Sequence, residues 1–389
     1  MTDNPQQCPL ALQIHQQIKD SGGLNFAEFM AQALYHPEHG YYMTVRDRIG
    51  KGGDFFTSSS VNALFGRLIA RQLAQMAQLL ASEKFEIVEQ GGGEGHLALD
   101  ILDALQAEEP ELYARTLYTL VEVSPSNRQR QANLLAKHSE RVAWSDEQSW
   151  TITSGCFLSN ELVDAFPVHL VEKQGGELKE VFVVSGDEGF CEEVRPLEDG
   201  SLNDYFSWLG HGPIEGNRGE ANLAAPEWMR QVTQRIERGF VLTIDYGYPT
   251  QELYAPFRRT GTLMCYQRHQ ADDNPYGQVG DKDITAHVDF TALQKAGEEA
   301  GLQTLWFGEQ YRFLMGLGFM EELMRLEAVT TDEKEARALR LTLKNLIMPD
   351  GGMGETFKVL VQGKGVDEAS LLCAREIRDI PMAALSGQF

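Results

Sequence analysis

The residues with the clearest capacity for chemistry are Glu89-Gln90-Gly91-Gly92-Gly93-Glu94-Gly95. Glycine has no Cβ, so a backbone built from it can approach a ligand closely. A helix opening behind such a loop presents free N–H groups to it. A dinucleotide fingerprint has the spacing GxGxxG and would need glycine at 91, 93 and 96, but His96 stands at the last position. The remaining spacing is GxGxG, at Gly91, Gly93 and Gly95, with Glu89 two residues ahead. Glu122 ends the next apolar stretch, in Leu120-Val121-Glu122-Val123. A carboxylate placed there can accept from both hydroxyls of a ribose. Ser145-Asp146 follows a third stretch, where an adenine ring sits in folds of this kind. Read alone, the glycines would also suit a tight strand-to-helix turn; the strand context and Glu122 favour a site for a nucleoside ligand that carries no phosphate.

These residues need strands that end at one edge, and the sequence supplies them. Phe85–Glu89, Leu117–Val123, Arg141–Trp144, Cys156–Ser159 and Gly239–Asp245 read as short apolar strands, with helices over Leu97–Leu105 and Ser124–His138. Strands alternating with helices predict an α/β fold with a mostly parallel sheet covered on both faces. Leu302–Phe307 and Phe357–Val361 are expected to pair antiparallel at the sheet edge. Upstream, Leu10, Ile14 and Ile18 recur at helical spacing, Asn25 and Glu28 form a capping-box signature, and Val61 to Leu80 reads as a strong helix. Val168–Lys173 and Leu178–Val184 flank Gly175-Gly176 as a hairpin, followed by helices. The expected organisation is a helical extension with a lid loop (1–82), a Rossmann-like core (83–167 and 239–363), an inserted substrate or partner region (168–238) and a tail (364–389).

A GxGxG loop with these two acids is the pattern of the class I methyltransferases that bind S-adenosylmethionine. The likeness extends further. Phe26-Ala27-Glu28-Phe29-Met30, the run from Ala33 to Tyr42 and Gly53-Asp54-Phe55-Phe56-Thr57-Ser58 are similar to the N-terminal signature of the MidA-like family. So are Glu122-Val123-Ser124-Pro125, the run from Ser159 to Pro167, Ile244-Asp245-Tyr246-Gly247 and the run from Asp283 to Phe290. The chain therefore resembles MidA-like methyltransferases over most of its length. The resemblance implies a class I methyltransferase sheet, bound S-adenosylmethionine and a protein arginine as acceptor, the acceptor carrying over most weakly. Two positions depart from the family: Gly92 stands where proline is common, and Glu94 where a basic or small residue is.

Methyl transfer is an in-line displacement, and guanidinium is a poor nucleophile because its lone pair is delocalised and it stays protonated. Carboxylates can orient one of its nitrogens by bidentate hydrogen bonds. Glu161 and Asp164 after the fourth strand are the candidate pair, with Asn160 beside them and Asp245 at the end of the fifth strand. An alternative is that the first two are helix-start acids facing the dipole. Gly53, Asp54 and Thr57 lie in a glycine-containing loop that could close over a cofactor, or form a plain turn. His287 could be a base, or a loop residue that caps the next helix.

The composition narrows the partners. The chain has 389 residues and carries 34 basic and 57 acidic side chains, a net charge of −23. Such a surface repels nucleic acid and suits an acceptor on a basic protein segment, although an acidic surface also arises simply for solubility. The cysteines, five and dispersed, point to a reducing compartment and a cytoplasmic location. No membrane span is expected, and nothing in the sequence sets an oligomeric state. No metal site is expected: Pro37 interrupts His36 and His39, and Asp272, Asn274, Gly277 and Asp283 match a calcium loop imperfectly. A cofactor-binding scaffold with little turnover is the competing reading, and a nicotinamide enzyme is disfavoured by His96.

Overall fold

The computed structural model describes residues 8–44, 63–267, 270–329, 356–366 and 370–375. The chain divides into two compact units, one of Phe56–Glu161, Gln231–Tyr246 and Gly297–Phe389, the other of Met1–Phe55, Leu162–Arg230 and Gly247–Ala296.

The first unit is built on a sheet. Its strands are β1 (Phe85–Gln90), β2 (Thr116–Val121), β3 (Val142–Ser145), β4 (Ile152–Asn160), β5 (Ile236–Tyr248), β6 (Gln303–Glu309) and β7 (Phe357–Lys364). They lie in the order β6-β7-β5-β4-β1-β2-β3. Neighbours from β5 to β3 are parallel, and β7 runs antiparallel to both β5 and β6. The mostly parallel sheet with an antiparallel C-terminal edge is the expected Rossmann-like arrangement. The central strands read as continuous apolar runs because both of their faces are covered. Helices α1 (Leu64–Leu80) and α2 (His96–Glu108) contribute Phe65, Leu68, Leu73, Leu97, Ile101 and Leu105 to one core with Ile87, Leu120, Leu158 and Leu242. Helix α3 (Pro125–Leu134) begins with proline at its first turn, where the missing N–H costs nothing. It stops at Leu134, short of the expected His138, and a 3-10 turn over Ala136–His138 follows. Because β1 lies between β4 and β2, the chain reverses direction across the sheet there, and the carboxyl ends of these strands form a switch point.

The second unit has its own core. The helices Pro9–Ser21 and Phe26–Tyr35 bury Leu10, Ile14, Phe29, Met30 and Leu34 with Val168, Leu170, Val181 and Val183. The capping box is formed: the Glu28 N–H donates to Asn25 Oδ1 at 2.9 Å, and the Asn25 N–H to Glu28 Oε2 at 3.1 Å. The hairpin pairs His169–Gln174 with Glu177–Gly186, and Gly175 and Gly176 both take positive φ, 64° and 83°, as a tight hairpin turn demands. This sheet also takes in Leu24–Asn25, Gly189–Pro196 and Arg218–Ala221.

The boundaries therefore run differently from the expected segmentation. The 168–238 region is not a separate insertion, because its hairpin shares a core with the N-terminal helices. Helix α1, assigned to the extension, packs in the core of the sheet unit. An amphipathic stripe states how much area a helix buries, but not against which sheet.

Candidate active site

The glycine loop leaves β1 at its carboxyl end. Gly91, Gly93 and Gly95 have φ of 75°, 53° and 93°, a region closed to most side chains, so each GxGxG glycine is required by the backbone itself. The loop is tied down by the Gly91 N–H to Val121 O (3.4 Å) and the Gly95 N–H to Gly92 O (2.8 Å). Gly92 has a different reason. A Cβ there would lie 2.9 Å from Leu120 Cδ2 and 3.1 Å from the Glu89 carboxylate. The added charge of Glu94 is met by Arg130, whose Nη1 is 2.8 Å from Glu94 Oε1.

Behind the loop, Glu89 is buried and accepts from the Tyr118 hydroxyl at 2.9 Å. Burial pushes its carboxyl up to about 7, against the opposing effect of the tyrosine hydrogen bond. Glu122 is also buried, and burial raises it. It accepts from the Ser124 N–H at 2.8 Å, from Asn127 at 3.4 Å and from Gln131 at 3.2 Å. Gln131 is a residue that sequence reasoning missed. A lone glutamine in a polar helix carries no signal until its neighbours in space are known. Asp146 is exposed, and its carboxylate accepts from the Gln148 N–H at 2.9 Å within its own turn.

At the end of β4, Asn160 is buried and donates to Glu161 Oε1 at 3.1 Å. Asn160 Oδ1 and Ser159 Oγ are buried and have no hydrogen-bond partner among the described residues. Orphaned buried acceptors are rare, so a donor from a bound ligand fits here. Glu161 has φ of 53°, one of three non-glycine residues with a positive value among the described residues, while its N–H remains bonded to Ile244 O at 2.9 Å. Such a conformation costs on the order of 1 kcal/mol and tends to persist at functional positions. Asp245 is fully buried at the end of β5, accepting from the Tyr246 N–H at 2.9 Å. The sheet unit thus brings together Glu89, Gly91, Gly93, Gly95, Glu122, Asn160, Glu161 and Asp245 at the carboxyl ends of β1, β2, β4 and β5.

Asp164 belongs to the second unit, buried in a 3-10 turn whose carbonyl accepts from the Ala286 N–H at 3.0 Å. That turn is not the first turn of an α-helix, so a helix dipole does not account for the residue. Gly53, Asp54 and Thr57 lie outside the described residues. His287 is pushed down to about 4 by burial and by Arg258, so it is neutral at pH 7. It does not cap the helix Phe290–Glu299; Asp289 does, accepting from the Ala292 N–H at 3.1 Å. In the calcium-like loop, Asp272 is bound by Lys282 at 2.6 Å.

The chain that carries this glycine loop, with an acid at each neighbouring strand end, is similar to known proteins. Residues 68–308 fit the family model of S-adenosyl-L-methionine-dependent methyltransferases. The chain belongs to that family. The methyltransferase is 30% identical to the Drosophila melanogaster protein named protein arginine methyltransferase NDUFAF7 homolog, mitochondrial, over 93% of this chain and 86% of that one. It is 28% identical to the human protein arginine methyltransferase NDUFAF7, mitochondrial, over 90% and 82% of the two chains. A crystal structure of a Burkholderia thailandensis protein bound to S-adenosyl-homocysteine aligns with a TM-score of 0.85 at 33% identity, covering 94% of each chain. The MidA-like resemblance, the class I methyltransferase fold and the S-adenosylmethionine cofactor are thereby established, and the scaffold and nicotinamide readings give way to an enzyme.

Proposed function

We propose that this methyltransferase acts on an arginine guanidinium in a protein. The carrying observation is Glu161, held in a strained backbone conformation at the strand end, directly after the buried Asn160. The names of the curated relatives support the same acceptor. When bound, the cofactor supplies a methyl group on a positively charged sulfur. Glu122 would hold the ribose hydroxyls, the Gly91–Gly95 loop would pass the amino-acid part, and Asn160 Oδ1 would accept from its ammonium. Val123, 49% exposed beside Glu122, and Asp146 would flank the adenine; the lid expected over Gly53, Asp54 and Thr57 lies outside the described residues. Glu161 orients one guanidinium nitrogen and receives its proton as the N–C bond forms and the methyl–sulfur bond breaks, leaving S-adenosylhomocysteine. Asp245 adds negative charge for the cationic acceptor; Asp164, the other expected acceptor residue, belongs to the second unit.

The acceptor sits on a basic segment of a protein, not on nucleic acid, in keeping with the net charge of −23. No helix among the described residues is long and apolar enough to cross a membrane. The dispersed cysteines favour the cytoplasm; the curated relatives have mitochondrial in their names, and fractionation of a tagged chain distinguishes these. The test of function is a methyl-label assay on lysate from cells lacking the protein, followed by hydrolysis and amino-acid analysis. Label in methylarginine is expected. Glu161→Gln should lower kcat by about 100-fold or more while S-adenosylhomocysteine affinity stays within about twofold; label confined to another amino acid would remove arginine as the acceptor.

A further inference from the structure

Helix α3 buries a glutamine where a helix face ordinarily buries an apolar side chain. Gln131 is 0% exposed. Its Nε2 donates to Gly93 O at 2.8 Å and to Glu122 Oε2 at 3.2 Å, and its Oε1 accepts from the Trp144 indole at 2.9 Å. An indole can only donate, a carbonyl can only accept, and the amide has two N–H groups. The orientation of the amide is therefore fixed, with both of its hydrogens committed. Burying a primary amide is costly unless it is fully bonded, and an apolar side chain would serve folding alone at less cost. The partners of this amide are the glycine loop, the acid after β2 and the end of β3. Its stem contributes as well: a Cβ on Gly95 would lie 3.2 Å from Gln131 Cγ. The same helix adds Arg128, which donates to Glu122 O at 2.7 Å and to Ser145 O at 2.8 Å.

We infer that Gln131 is a positioning residue for the cofactor, holding Gly93 and Glu122 in one geometry, with Trp144 setting its amide. The inference rests on Glu122 being the ribose acid. Gln131→Met removes all three hydrogen bonds at similar volume. Glu122 keeps its bonds from Ser124 and Asn127, so the variant should bind S-adenosylhomocysteine more weakly by on the order of tenfold, without losing binding. The KM for S-adenosylmethionine should rise by more than kcat falls. Trp144→Phe should shift affinity in the same direction by less, and the double variant should bind no worse than Gln131→Met, because the two act through one amide. Calorimetric titration is run below the melting temperature of each variant, with Glu122→Ala alongside. If Glu122→Ala binds weakly and Gln131→Met binds like the wild type, the positioning role is wrong and the ribose reading stands. If Glu122→Ala itself binds like the wild type, the ribose reading fails and the inference with it. Should Gln131→Met not fold, Trp144→Phe decides: unchanged affinity overturns the inference.

Discussion

Glu89 holds its proton to about pH 7, while an ordinary glutamic acid releases it near 4.5. The folded state therefore binds a proton that the unfolded state gives up as pH rises between those values. The stabilisation is fully present below about 4.5 and is lost as pH passes through about 7. Over that window the contribution amounts to roughly 3 kcal/mol. Glu89→Gln mimics the protonated form and keeps an acceptor for Tyr118. Urea unfolding from acid to neutral pH should show the wild type losing stability relative to this variant as pH rises; parallel curves would mean that Glu89 ionises normally. At this scale the sequence reveals residue types and spacings, so Gly91, Gly93, Gly95, Glu89 and Glu122 were legible. Gln131 was not, because its importance lies in touching Gly93 and Trp144, which the sequence separates.

The elements were legible where burial imposes a period or an apolar run. The fourth strand extends from Ile152, beyond the expected start at Cys156, because Ile152 and Ser154 pair with Ile236 and Arg238 of β5, and Gly155 sits against the backbone of β1. A Cβ at Gly155 would lie 1.8 Å from Glu86 O, and one at Gly239 would lie 2.1 Å from Gly155 O. Backbone atoms cannot rotate away as side-chain tips can. Gly155→Ala should therefore destabilise the protein by about 3 kcal/mol or more, read by chemical denaturation. Gly176→Asn is the contrasting case: φ is 83°, nothing lies within 4 Å of a Cβ there, and asparagine tolerates that conformation. Its cost should stay under about 1 kcal/mol. Equal costs for the two would show that the packing of β4 against β1 is looser than its geometry implies.

Across the whole molecule, the net charge of −23 acts at a distance. If the acceptor sits on a basic segment, capture is partly electrostatic and salt should weaken it. Raising salt from about 0.05 to about 0.5 M should increase the KM for a basic acceptor several-fold and leave S-adenosylhomocysteine affinity nearly constant, since the nucleoside site relies on short-range, buried hydrogen bonds. An acceptor KM that ignores salt would argue against a basic segment. The sequence by itself determined the α/β class, the order of strands and helices, the glycine loop and the acids at the strand ends, because each is written in local period, spacing or backbone demand. Tertiary structure alone decided that α1 belongs to the sheet unit and that the hairpin around Gly175 shares a core with the N-terminal helices. It also decided that Asp164 falls in a different unit from Glu161 and that a buried glutamine ties the loop to Glu122. These outcomes depend on which distant surfaces exclude water together, and no local pattern encodes that choice.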